Sequence, residues 1–132
     1  MRAAGTFEVA SFAPAELSPA PLVVGTGLPT GVVTMEKRFR GEVDGRAATI
    51  FTAAFDQASG VGTYVAMESF EGSLNGTSGS FNFIHMASTT GSDRTDEHFA
   101  IVPSSGTGGL AEIKGTGGIG TDHTIWLEYE LR

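Results

Sequence analysis

The alternation of hydrophobic and polar positions is cleanest between Tyr64 and His85, and it breaks once, at Asn75-Gly76. Asn-Gly between two alternating runs marks a two-residue β-hairpin turn, because both residues tolerate the positive φ that turn requires. Such a turn sets Leu74 against Thr77, Glu68 against Phe83 and Ala66 against His85. One face of the hairpin then carries Tyr64, Phe70, Phe81 and Phe83, and the other carries Ser69, Glu71, Ser78, Ser80 and Asn82. Glu68 and His85 fall on the apolar face as diagonal neighbours, within reach of long side chains. A carboxylate and an imidazole therefore stand on a face expected to be buried.

The same pattern predicts the remaining elements. Gly5 to Phe12 reads as a first strand, with Phe7 and Val9 on one side and Thr6 and Glu8 on the other. Residues 13–31 hold four of the five prolines, so they form a connection, since proline cannot donate to a ladder. Leu22, Val23, Val24 and Leu28 give this connection apolar surface. It is read either as a segment covering one end of the fold or as an ordinary surface crossing. Residues 31–40 and 47–56 form a second hairpin, for which a two-residue turn at Asp44-Gly45 would put Phe51 with Thr34 and Glu36. A bulged three-residue turn at 43–45 instead groups Val33, Met35, Lys37 and Phe39 with Phe51, Ala53 and Phe55, and hydrophobicity selects it. Lys37 then points inward, or its ammonium reaches toward a mouth.

In the strand 95–103, an inward Phe99 and Ile101 bring Glu97 inward and turn His98 out; the reading with Ala100 and Val102 inside stays open. Residues 106–120 are glycine-rich, with one helical turn expected at 110–114. A last strand, 123–131, has Ile125, Leu127, Tyr129 and Leu131 inside and Trp126, Glu128 and Glu130 outside. About eight short strands and no long helix predict an all-β fold: one domain over 1–132, a closed or nearly closed antiparallel barrel. The interior of such a barrel is filled by side chains or holds one small ligand.

Composition narrows the functions open to this fold. Of 132 residues 19 are glycine, which suits many tight turns. The formal net charge of −7 argues against a nucleic-acid partner, which needs a basic patch. Lys37, Arg38 and Arg40 form the one basic cluster, flanked by Glu36 and Glu42. There is no cysteine, so disulfides and thiolate chemistry are excluded. No apolar run approaches membrane-spanning length and no signal-peptide core is visible, so a soluble, cytoplasmic protein is the expectation.

Gly115-Thr116-Gly117-Gly118-Ile119-Gly120 matches a dinucleotide-binding pattern but lacks the following helix that would hold a pyrophosphate, so no cofactor is expected. Zinc on His85, His98 and His123 has no supporting ligand spacing, and no metal is expected. Glu68 with His85 is the best chemical pair: a carboxylate beside an imidazole holds its tautomer and raises its basicity, which suits proton transfer. A purely structural pair is the competing reading. A hydrophobic small molecule in the lumen would meet Lys37, Phe51, Phe55, Tyr64, Phe70, Phe81, Phe83, Glu97, Phe99 and Tyr129. On the outer face, Trp126 with Val65, Met67, Ile84 and Met86 suggests contact between copies in a homo-oligomer.

Several stretches resemble a bacterial family catalogued as domain of unknown function three-two-two-four. They are Gly5-Thr6-Phe7-Glu8-Val9, residues 39–45, Glu68 to Gly72, Gly79 to His85, and the glycine-rich run from Val102 to Gly118. The family is similar to the allene oxide cyclase and dirigent barrels, which implies eight antiparallel strands around a mostly apolar lumen. Its pattern has a glutamate and a histidine at Glu68 and His85 and an aromatic at Phe99; the proline-rich first connection and the short turn before His123 depart from it. The resemblance implies a cofactor-independent isomerase or cyclase acting on an oxylipin- or polyketide-like molecule. The alternatives are a non-catalytic carrier or sensor, or a filled barrel serving as an oligomerisation module.

Overall fold

The computed structural model describes residues 1–132. It contains nine strands and no helix: β1 Arg2–Ala15, β2 Thr30–Gly41, β3 Val43–Asp56, β4 Val61–Leu74, β5 Thr77–Thr90, β6 Arg94–Ile101, β7 Thr107–Gly108, β8 Lys114–Ile119 and β9 Thr124–Glu130. Eight of them close an antiparallel ring in the order β1-β2-β3-β4-β5-β6-β8-β9, with β9 returning to β1, and the two-residue β7 adds to β5. The expected antiparallel barrel is what forms.

At the β4–β5 turn Asn75 has φ 49° and Gly76 φ 84°, as a two-residue turn of this hand requires. The pairs Leu74–Thr77, Glu68–Phe83 and Ala66–His85 follow from it. The β2–β3 hairpin differs from expectation. Its strands pair Lys37 with Ala47 and Val33 with Phe51, so the reversal is centred on Glu42, and Gly45 lies inside β3. No local turn is needed, because Glu42 N–H donates to Ala4 C=O and Asn75 N–H donates to Glu42 C=O, both at 2.9 Å. The flanking strands supply the bonds that a turn would otherwise make for itself. The face assignment survives, since the true register differs from the expected one by an even step.

Smaller differences have similarly local causes. β1 runs to Ala15 with a bulge after Val9, and Val9, expected beside Phe7, is exposed. The helical turn expected at 110–114 does not form: residues 109–112 make turns closed by i→i+3 bonds, Lys114 opens β8, and Leu110 and Ile113 are buried. In β6 Phe99 and Ile101 are buried, which decides between the two readings of that strand. Connection residues Leu22, Val23 and Val24 are 88%, 94% and 67% exposed, while Glu16, Leu17, Ala20 and Pro21 overhang the outer face of β2–β4.

One end of the barrel is packed solid. Gly45, Gly72, Gly79 and Gly108 pair in a row across β3, β4, β5 and β7. A Cβ on Gly72 would lie 2.0 Å from Asp44 O, so only glycine permits this approach. The space left inside is filled by Phe39, Phe70, Phe81, Leu74 and Leu110. Phe70 meets Phe39 edge-on at 5.6 Å and Phe81 at 5.2 Å, and Phe83 stacks on Phe99 at 4.7 Å. Phe83→Ala is therefore expected to cost about 3–5 kcal/mol in denaturant unfolding. Phe12→Ala, at a side chain 61% exposed, should cost less than about 0.5 kcal/mol. Equal losses at the two positions would contradict this division of the barrel.

Candidate functional site

Successive cross-strand rows on the inner wall set the order of side chains along the lumen. Ala47, Phe70 and Phe81 make one row; Thr49, Glu68 and Phe83 the next; then Phe51, Ala66, His85 and Phe99; then Ala53, Tyr64 and Ala87. Glu68 and His85 are diagonal neighbours, as the hairpin pattern predicts, yet each has a different partner. Glu68 is fully buried; its Oε2 accepts from Lys37 Nζ at 3.1 Å and its Oε1 from Thr49 Oγ1 at 2.8 Å. Thr49 stands directly opposite Glu68, and the Lys37 ammonium also lies 5.1 Å from the centroid of Phe7.

His85 pairs with Glu97. Its Nε2 lies 2.7 Å from Glu97 Oε2, the same oxygen that accepts from Ile119 N–H at 3.1 Å and forms an ion pair with Arg94 at 3.1 Å. A bulge in β6, where Asp96 and Glu97 oppose Ala87 and Asp96 has φ 55°, aims the carboxylate here. The same cluster closes the ring. β6 and β8 share one backbone pair, Ala100–Thr116. Beyond it Glu97 holds the N–H of Ile119 and Arg94 its C=O.

These surroundings set the protonation states. Burial is the largest influence on His85 and pushes its pKa down; the bond to Glu97 pulls it back up only in part. For Glu97, burial pushes up, but the bonds from His85 and Ile119 N–H and the charge of Arg94 outweigh it, leaving the carboxyl below its usual range. A neutral imidazole beside an ionised carboxylate must place its proton on Nε2, so Nδ1 carries the lone pair. Nδ1 is engaged in no hydrogen bond with the protein. Burial raises the Tyr64 phenol above its usual value despite the nearby Arg94, so it stays protonated. Its ring lies 5.6 Å from that of His85.

Toward the open end the lumen widens into a cavity of about 780 Å³ lined by Phe12, Pro14, Pro29, Val33, Phe51, Phe55, Tyr64, Asp56 and Thr89, among others. Phe51 stacks on Tyr64 at 5.1 Å to form one wall. A second cleft of about 670 Å³ lies on the outside, under Leu17, Ala20 and Pro21, against Thr52, Ala54, Thr63 and Val65. It holds no aromatic side chain, and its one ionisable residue is Glu16.

Of the side chains read from the sequence as ligand contacts, Phe51, Phe55 and Tyr64 line the mouth cavity. Phe70, Phe81, Phe83, Phe99 and Tyr129 are instead packed into the core cluster, and Asn75 donates to the Tyr129 hydroxyl at 2.9 Å. Lys37 is paired with Glu68, and Glu97 with His85. Thr49, Arg94, Phe12 and Asp56 escape sequence reasoning: Thr49 gains its meaning only from the β3–β4 register, and Arg94 sits at a turn. Outward-facing Met67 is 43% exposed, whereas Trp126 is half-buried with Arg2 5.0 Å from its ring centroid. His123, expected to open the last strand, lies in the turn just before β9 with φ 62° and stacks on Phe7 at 4.9 Å.

Residues 3–132 match the family described as protein of unknown function DUF3224, and the chain belongs to it. A crystal structure of a DUF3224 protein of unknown function from Shewanella oneidensis MR-1 has the same fold, with a TM-score of 0.80 and 27% identity. That likeness covers 100% of this chain and 98% of the other. No curated protein matches. Kinship with allene oxide cyclases rests on the sequence resemblance alone.

Two outcomes follow from the interior charges. Glu68→Ala leaves Lys37 uncompensated and should cost about 3–5 kcal/mol, most of it regained in the double variant Lys37→Met/Glu68→Leu. The second concerns pH. His85 binds a proton less readily folded than unfolded, so its contribution is complete above about pH 6.5 and is lost as pH falls through the lower folded value. Urea midpoints should therefore drop between about pH 7 and 5, and His85→Gln should flatten that slope; an unchanged slope would contradict the assignment.

Proposed function

We propose that this DUF3224 protein holds one apolar small molecule in the mouth cavity at the open end of its barrel. The observation that carries this reading is the contrast between the two ends. One is filled by phenylalanines, while at the other Phe51 and Tyr64 wall a cavity of about 780 Å³. That volume suits a drug-sized ligand, and aromatic walls with a few polar groups are the usual lining of such sites. A carrier or sensor needs nothing more.

A second reading, a cofactor-independent isomerase or cyclase, is favoured by the Nδ1 of His85, which has no hydrogen-bond partner in the protein. A neutral imidazole held by Glu97 can remove a proton from a bound molecule and return it elsewhere. The Tyr64 phenol can donate a hydrogen bond to the oxygen on which charge develops. Tyr64 lines the cavity and His85 lies in the row behind it, so turnover requires the Tyr64 ring to swing aside. In this reading Glu68 acts through Lys37, by keeping its ammonium in place.

Binding is tested by titrating the protein with a neutral, environment-sensitive naphthyl ketone. One site per chain is expected, with affinity falling roughly tenfold in Phe51→Ala, by loss of a stacking wall, and unchanged in the outer-cleft variant Val65→Ser. Absence of binding, or the reverse sensitivity, would overturn the reading. Turnover is tested on ligand recovered from cell extract and incubated in deuterated water. Deuterium should enter carbon positions with the wild type and not with His85→Ala, which should still bind. No incorporation with either leaves the carrier reading standing.

A further inference from the structure

The walls of the mouth cavity carry an unbalanced charge pattern. Four aromatic rings contribute to its lining: Phe12, Phe51, Phe55 and Tyr64. Phe12 and Phe55 are 61% and 39% exposed, unusually open for phenylalanines. Among the lining residues Asp56 alone carries a charge, because the Tyr64 phenol stays protonated. The Asp56 carboxylate is kept below its usual pKa range, chiefly by the Ser59 hydroxyl at 2.6 Å and then by the Ala58 N–H. Those bonds come from one side, through the turn after β3, and leave acceptor capacity on the carboxylate.

No positive side chain competes with it. Lys37 and Arg94 are absent from the lining, and each is matched by a carboxylate, Glu68 and Glu97 respectively. His85 is held neutral behind Tyr64. The whole chain has a formal net charge of −7, so its field favours the approach of cations. The faces of aromatic rings attract an ammonium group through their quadrupoles, most strongly where the cation sheds water. A neutral or anionic ligand would gain nothing from Asp56.

We propose that the ligand of the mouth cavity is a hydrophobic organic cation, an apolar body bearing an amine or quaternary ammonium group. The ammonium sits at the rim against Asp56 and the faces of Phe12 and Phe55, and the apolar body stacks on Phe51 and Tyr64. This rests on the cavity being a ligand site, as proposed above.

The test uses three naphthyl probes of matched shape, ending in trimethylammonium, in the isosteric tert-butyl group, and in sulfonate. At low salt the ammonium probe should bind on the order of tenfold more tightly than its neutral isostere, and the sulfonate most weakly. Asp56→Asn, which keeps one of the two acceptor oxygens that serve the turn and whose amide can donate to the Ser59 hydroxyl, should remove most of that preference and most of its salt dependence. It should leave the tert-butyl probe unchanged, which also reports that the cavity is intact. Equal binding of the ammonium and tert-butyl probes, a preference for sulfonate, or a preference untouched by Asp56→Asn would each overturn the proposal. If none of the three probes binds, the reading of the cavity as a ligand site fails with it.

Discussion

A single buried ion pair, Lys37 with Glu68, divides this barrel into a filled half and an open half. Both side chains are almost entirely removed from solvent, at 9% and 0% exposed. Taking two such charges out of water costs several kcal/mol each, so the pair persists only because its geometry and extra bonds offset that cost. Thr49 supplies one such bond from directly across the sheet, and the face of Phe7 receives the ammonium. Below the pair, phenylalanines pack ring against ring and leave nothing for a ligand to occupy. Above it the wall changes to Phe51, His85 and Tyr64, and the lumen opens.

The second cluster links the site to the closure of the ring. Three groups from three strands converge on one oxygen of Glu97: His85 on β5 and the Ile119 amide on β8 donate to it, and Arg94 on β6 forms an ion pair with it. Where β6 and β8 share a single backbone pair, these side-chain bonds do what a ladder does elsewhere in the barrel. The carboxylate that fixes the tautomer of His85 is thus also a structural clasp. Loss of Glu97 would disturb seam and imidazole together, which makes it a poor variant for separating chemistry from stability. His85, which contributes one bond to the cluster, is the cleaner probe.

Much of the fold was legible from period-two alternation and one Asn-Gly turn. Because that turn fixes the β4–β5 register, it placed Glu68 and His85 correctly on the inner wall. Parity also pointed Lys37 inward, and it survived a misread turn at residues 43–45 because the true register lies an even step away; for Glu97 it left two readings that only the burial of Phe99 and Ile101 separates. What alternation does not carry is which inward groups meet. The sequence reading set Glu68 beside His85, whereas the lysine on β2 and the bulge-aimed glutamate on β6 each claim one of them. Such partnerships depend on non-local registers and on the φ of Asp96, for which a local pattern holds no signal. The same limit applies to lumen depth: an inward phenylalanine reads alike whether it fills the closed end, as Phe81 does, or lines the mouth, as Phe51 does.

If the open end is a site and not a packing defect, it holds a molecule in the cell. The most direct measurement is the native mass spectrum of protein taken gently from cell extract, set against its denatured mass, for the wild type and for a Phe51→Lys variant that places an ammonium in the aromatic wall. Extra mass is expected on the native wild type, lost on denaturation and missing from the variant. Identical native and denatured masses for the wild type, after purification mild enough to retain a bound molecule, would contradict it.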